Sequence, residues 1–166
     1  MKTFLITGGA GFIGSNFLNL FVSRYPEYNF INFDKLTYAA NLLNLKSIEN
    51  LSSYKFEQGD IADYSRVNKI FTQYNPDIVI HFAAESHVDR SILGPAEFIQ
   101  TNIIGTFNLL EACRKNWQNS LNKNKLFLHV GSNDGYSFLF LYKADLFTES
   151  ISCIFHIPIL KHPMIT

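Results

Sequence analysis

The chain has 166 residues, 14 Lys and Arg against 14 Asp and Glu, and a pI near 7.0. With no basic cluster, this balance argues against a nucleic-acid or other polyanion-binding surface. Cys113 and Cys153 lack metal-ligand spacing, so no metal is expected, and no apolar run reaches the ~18 residues of a membrane helix. At 47% hydrophobic residues, the length suits one domain with a real core.

The first predicted strand covers about residues 2–7 and runs into Thr7-Gly8-Gly9-Ala10-Gly11-Phe12-Ile13-Gly14. Glycines 9, 11 and 14 satisfy G-x-G-x-x-G, and glycines 8, 11 and 14 satisfy G-x-x-G-x-x-G. The first lets the chain turn out of the strand, the second removes a Cβ that would block a pyrophosphate, and the third permits close packing of the next helix. That helix, about 13–25, spaces Phe17, Leu18, Phe21 and Val22 along one face and stops at Pro26. A second strand, Phe30 to Phe33, ends at Asp34, twenty residues past Gly14. A carboxylate there suits the ribose hydroxyls of NAD and repels a 2′-phosphate, although Lys35 beside it weakens that argument.

Residues 36–53 read as a polar, Asn- and Leu-rich loop with a short helix near 42–49. A strand at 54–57 closes at Gly59-Asp60, and a helix over 64–74 aligns Val67, Ile70, Phe71 and Tyr74 before Pro76. Residues 77–82 form the nearly continuous apolar run of a central parallel strand. A long helix over 96–117 carries Phe98, Asn102, Thr106, Leu109 and Cys113 on one face, and 126–130 is the next strand. The alternation predicts an α/β fold, a doubly wound parallel sheet of the Rossmann type. After about residue 131 the periodicity fails. The apolar stretches 137–142 and 151–160 alternate poorly, and Pro158 breaks the second. The expected organisation is a partial NAD-binding domain over 1–135 and a divergent tail over 136–166.

Two post-strand loops carry polar groups where such folds bind ligands. Asp60 is suited to accept from an adenine amino group or, alternatively, to cap the helix that follows. In Ala83-Ala84-Glu85-Ser86-His87-Val88-Asp89-Arg90-Ser91, the small residues let a cofactor lie against the backbone. The polar ones either meet a substrate or form a solvated loop.

The stretches TGGAGFIGSN, NFDKLTYAANLLNL, QGDIAD, HFAAESHVDRSILGP and FIQTNIIGTFNLLEA resemble the extended short-chain dehydrogenase/reductases, and within them the dTDP-glucose 4,6-dehydratases. The likeness covers about 1–130 well and fades by 150. It implies NAD as cofactor, a dTDP-sugar as substrate and a homodimer in the family, which is not expected to carry over fully to so short a chain. The two cysteines without a secretory signal suit a cytoplasmic setting, and composition suits neither a membrane nor a nucleic-acid partner. The likeness also implies a mechanism. Hydride leaves C4 of the glucosyl ring, water is lost across C5–C6, and the hydride returns to C6. Matched position by position, Gly8, Gly11, Phe12, Ile13 and Gly14 fall on the pyrophosphate loop. Asp34, Lys35, Leu36 and Thr37 fall on the ribose loop, and Asp60 and Ile61 on the adenine site. Phe82, Ala83, Ala84, Glu85 and Ser86 lie under the cofactor, with Thr101 a further contact. Ser86, His87, Asp89, Arg90 and Ser132 fall where the sugar nucleotide is met.

Departures from the family put catalysis in doubt. After the strand ending His129-Val130, the family reads Ser-Thr-Asp-Glu-Val-Tyr-Gly, whereas this chain reads Gly131-Ser132-Asn133-Asp134-Gly135-Tyr136-Ser137. Ungapped, Asn133 replaces the acid, and Asp134, one methylene short, replaces the base. No Tyr-x-x-x-Lys pair occurs in these residues, and nothing corresponds to the sugar-nucleotide domain. The expectation is an incomplete fold with an unpaired sheet edge, weak NAD binding, poor solubility and no activity alone. Residues His156 to Thr166 also admit codons that, one frame away, spell the family's missing Pro-Tyr-Ser-x-Ser-Lys segment, so an out-of-frame tail is expected. Competing readings are a non-catalytic NAD-binding or partner-binding module and another sugar-nucleotide epimerase or dehydratase.

Overall fold

A computed structural model describes residues 1–86, 94–118, 124–133, 136–143 and 152–158, with Ser132, Asn133 and the last two strands described by backbone alone. Seven strands form one sheet: β1 (Thr3–Thr7), β2 (Asn29–Asp34), β3 (Tyr54–Gln58), β4 (Ile78–His81), β5 (Leu126–Asn133), β6 (Tyr136–Lys143) and β7 (Ser152–Pro158), in the order β3-β2-β1-β4-β5-β6-β7. The first five are parallel, with Leu5 opposite Ile31 on one side and Val79 on the other. The helices are α1 (Phe12–Arg24), α2 (Tyr64–Tyr74), α3 (Pro95–Phe98) and α4 (Thr106–Trp117), and a π-helical stretch, Ile99–Gly105, joins α3 to α4.

Period-two alternation sends side chains to opposite faces of the sheet, and each face is covered. Leu5, Ile31, Phe33, Val79 and Phe127 pack against Val67, Ile70 and Phe71 of α2 and Leu109, Ala112 and Trp117 of α4. Ile6, Phe30 and Ile80 point the other way, onto Leu18 and Val22 of α1 and onto Leu45 and Ile48 of the following loop. Helices on both faces of a five-stranded parallel sheet make the doubly wound fold that the βαβ alternation predicts.

The helix ends explain their own positions. Asp63 caps α2 by accepting from the Arg66 N–H at 3.2 Å, and left-handed Asn75 closes it with an N–H to the Phe71 carbonyl. Helix α1 has no side-chain cap and stops before Pro26. Only a 3-10 turn, Leu42–Leu45, forms where a helix to residue 49 is expected. At the amino ends of the strands, Asp77 accepts from the Thr3 N–H and pairs with Lys125, each at 2.9 Å. Lys125 Nζ and Trp117 Nε1 both donate to the Pro76 carbonyl.

The sheet departs from the expected all-parallel arrangement at its far edge. Strand β6 runs antiparallel to β5, from Leu126 opposite Lys143 to Asn133 opposite Tyr136, and β7 runs antiparallel to β6. The edge of β5 is therefore paired rather than open. An apolar Phe- and Leu-rich stretch satisfies the N–H and C=O groups that β5 would otherwise leave exposed. Two consecutive antiparallel strands need no crossover helix, so no helical period follows residue 131.

Candidate functional site: a dinucleotide cleft

Every loop leaving the carboxyl end of β1 to β4 opens on one cleft, with a cavity of about 110 Å³. Its floor is the turn from β1 into α1. Gly8 sits at φ 70°, in the left-handed region, and any Cβ there would lie 2.6 Å from the Ala83 nitrogen. A Cβ at Gly14 would strike the Gly8 carbonyl, so the third glycine packs against the turn rather than against the sheet. A Cβ at Gly11 would meet only the Gly8 oxygen, at 3.3 Å. Phe12, Ile13 and Gly14 begin α1, so their N–H groups have no partner within the helix and no side chain caps them. The side chains of Phe12 and Ile13 are exposed and take no part in lining the cleft.

The next loop supplies charge. Asp34 is buried at the tip of β2, where its carboxylate accepts from the Ala10 N–H at 2.9 Å and the Leu36 N–H at 2.8 Å. The second bond closes a tight turn in which Leu36 adopts φ 62°, and its side chain packs into the α1 core rather than the cleft. Lys35 extends from that turn, and its ammonium lies 2.8 Å from Asp60 Oδ2. This bond holds the Lys35 pKa above its ordinary value despite some burial. Asp60 Oδ1 accepts from the Ala62 N–H, and the helix-capping role belongs to Asp63. The side chain of Asp60 thus stays in the cleft with Ile61, Thr37 and Thr101.

The third wall is Phe82, Ala83, Ala84 and Glu85, past the end of β4. It is braced from behind. Asn102, in the π-helical stretch, accepts from the Glu85 N–H and donates to the Glu85 carbonyl, both at 2.9 Å. The Thr106 hydroxyl donates to the Asn102 carbonyl and so accepts from His81 Nε2 at 3.0 Å. His81 Nδ1 is left to accept from the Thr7 hydroxyl at 2.7 Å. Burial, helped by nearby His129, pushes the His81 pKa down to about 3, so the ring is neutral. Tyr38 reaches Glu85 across the mouth at 3.4 Å.

The structure therefore gathers Gly8, Gly11, Asp34, Lys35, Thr37, Asp60, Ile61, Phe82, Ala83, Ala84, Glu85 and Thr101 around one cleft. Ser86 is exposed just beyond the third wall. Ser132 and Asn133 stand at the carboxyl end of β5, on the same rim of the sheet. His87, Asp89, Arg90 and Asp134 lie outside the described residues. Sequence reading missed four cleft residues: Phe33, Ala39, Ala40 and Gly59. Gly59 had a signal, because it precedes Asp60 at a strand end, and a Cβ there would strike the Phe33 ring. Asn102 and Thr106 were visible as polar positions on a helix face, but their partners were not.

Comparison with known proteins agrees with this geometry. A "Probable dTDP-glucose 4,6-dehydratase" of Sinorhizobium fredii is 49% identical over 138 residues, which is 81% of this chain and 39% of the relative. The crystal structure of a dTDP-glucose 4,6-dehydratase from Streptomyces venezuelae with NAD and TYD bound matches with a TM-score of 0.63 at 41% identity, covering 69% of this chain and 36% of that one. The UDP-glucose 4-epimerase of Thermotoga maritima, solved with UDP-glucose, matches with a TM-score of 0.62 at 34% identity, covering 69% and 35%. The chain spans about two fifths of the length of the curated relatives it matches. Among the described residues, no helix is long and apolar enough to cross a membrane. The family described as GDP-mannose 4,6 dehydratase matches residues 5–137, the span that builds the glycine turn, the Asp34 loop and the Asn102 brace, and the chain belongs to that family.

Proposed function

We propose that this chain is the NAD-binding part of a dTDP-glucose 4,6-dehydratase and that these 166 residues alone bind the dinucleotide without completing the reaction. The observation that carries the reading is the uncapped amino end of α1 above a turn in which Gly8 and Gly14 leave no room for side chains. Free N–H groups and the positive end of the helix dipole suit a pyrophosphate. Asp34, oriented by two backbone amides, suits the ribose hydroxyls of the adenosine half, and Asp60 and Ile61 suit the adenine. Phe82, Ala83, Ala84, Glu85 and Thr101 give the rest of the dinucleotide a wall of small and polar groups. When bound, NAD supplies the hydride acceptor for oxidation at a sugar carbon. Ser86, His87, Asp89, Arg90 and Ser132 are proposed to meet the dTDP-sugar.

Dehydration also needs an acid, a base and an ionisable phenol near the ring. Asn133 cannot donate as a carboxylic acid does, Asp134 is short for the base, and the residues hold no Tyr-x-x-x-Lys pair. That absence favours a binding module over the active enzyme for this chain by itself. A homodimer belongs to the same proposal, supported by exposed Ile99, Ile103 and Phe107, four residues apart along one continuous helix. A cytoplasmic location is supported by the buried free thiol of Cys113, and an out-of-frame tail by the codon reading of 156–166.

Titration of the chain with NADH, followed by fluorescence, tests the reading. Saturable binding that Gly14→Ala abolishes is expected, together with no 4-keto sugar from dTDP-glucose and NAD. Absence of saturable binding by the folded wild-type chain overturns it.

A further inference from the structure

The adenosine end of the cleft carries two carboxylates and one ammonium. Asp34 is held by Ala10 and Leu36, Asp60 by Ala62, and Lys35 bonds to Asp60 at 2.8 Å. Lys35 follows directly on the acid of β2, and in folds of this kind a cation near that acid accommodates a 2′-phosphate. Its side chain is more than half exposed and rises from a turn fixed by Leu36 at φ 62°. It has the reach and the charge for that phosphate, but its charge is taken up by Asp60.

Resting on the NAD-binding reading above, we propose that Asp60 sets the choice between NAD and NADP by holding Lys35 away from the 2′ position. With the pair closed, a 2′-phosphate meets Asp34 and Asp60, and the one cleft cation among the described residues is already neutralised, so like-charge repulsion rejects it. Without the Asp60 charge, the Lys35 ammonium is released beside Asp34, and the same cleft tolerates the phosphate. Asp34 alone, by this account, does not make the choice. The acid and the lysine after it are opposed charges, and the third residue, 25 positions further on, decides which one a ligand meets.

The test is a fluorescence titration of the 166-residue chain with NADH and NADPH in wild type, Asp60→Asn, Lys35→Ala and the double variant, each first checked by thermal melting. Wild type is expected to prefer NADH. Asp60→Asn keeps an acceptor for the Ala62 N–H and is expected to shift the affinity ratio toward NADPH by about tenfold. Lys35→Ala in the Asp60→Asn background is expected to erase that gain. Asp60→Ser serves as a second variant if the Asp60→Asn protein does not fold. A ratio that moves less than about threefold, or a gain that survives Lys35→Ala, overturns the proposal while leaving the NAD reading intact. Wild type that binds neither nucleotide overturns both.

Discussion

The two ends of the sheet each carry a lysine–aspartate pair, and the pairs differ in kind. At the amino ends, Lys125 and Asp77 are 4% and 17% exposed, and the Thr3 N–H and the Pro76 carbonyl complete their hydrogen bonds. At the carboxyl ends, Lys35 and Asp60 are 56% and 28% exposed, at almost the same separation. A pair in water contributes little to stability, whereas breaking a buried one strands a charge in a poor solvent. One end of the fold is thus fastened by β1, β4, α4 and β5 together, while the other holds its pair closed but open to solvent beside the cleft. Bond length alone therefore does not assign a role. Burial and the remaining partners do.

The largest effect expected from breaking this contrast is at the amino end. Lys125→Met removes the ammonium from both Asp77 and the Pro76 carbonyl and should cost about 3 kcal/mol of unfolding free energy. Chemical denaturation read by Trp117 fluorescence measures it, since the indole donates to the same carbonyl. NADH affinity, measured under conditions where the variant is folded, should stay within about twofold of wild type. Lys35→Ala should leave stability almost unchanged. Equal losses from the two variants would remove the distinction.

Acid should separate the ends next. The His81 pKa is about 3 in the fold and near 6.5 unfolded. Between these values the unfolded chain holds the extra proton, so stability is full above about pH 6.5 and falls as pH drops, by up to about 1.4 kcal/mol per unit. By pH 5 the loss should be about 2 kcal/mol. For Asp77, burial raises the carboxyl pKa, but the Thr3 amide and Lys125 outweigh it and leave it below the ordinary value. Its contribution is present above the usual carboxylate pKa and is lost only as pH falls through the lower folded one. The carboxyl end therefore weakens first. Stability curves from pH 8 to 4 on wild type and His81→Gln, which keeps one donor and one acceptor but does not titrate, check this. A His81→Gln curve as steep as wild type between pH 6.5 and 5 would place the acid sensitivity elsewhere.

The same contrast explains what was legible in the sequence. Glycines 8, 11 and 14 and Asp34 are found from their spacing, and Asp60 from its place after a strand, because each lies at or shortly past a strand end, where local sequence fixes the backbone. The helix over 64–74 is read to the residue, because Val67, Ile70, Phe71 and Tyr74 keep a clean period and Pro76 follows. The Lys125–Asp77 fastening is not legible, since it joins residues 48 apart and gives no periodic signal. Nor is the π-helical stretch, because Phe98, Asn102, Thr106 and Leu109 keep the spacing of an ordinary helix face through Ile99 to Gly105. Strands β6 and β7 escape because their residues alternate poorly and antiparallel neighbours need no crossover helix.

The smallest effect tests whether the brace behind the cleft acts for binding or for stability. Asn102 is not among the residues lining the cleft, yet it makes both hydrogen bonds of the Glu85 peptide. Glu85 is only partly buried, so in Asn102→Ala water should replace much of what is lost, and the stability cost should be about 1 kcal/mol. The wall from Phe82 to Glu85 would nevertheless be freer, and ordering it again on binding should weaken NADH affinity by about fivefold to tenfold. Hydrogen exchange at the Glu85 amide, measured alongside the NADH titration, separates the two roles. Faster exchange with weaker binding makes the amide of Asn102 part of how the cleft is preorganised. Faster exchange with unchanged affinity makes it a fastener like Lys125, and the division of labour between the two ends of the sheet then stops at the Asp34 and Asp60 loops.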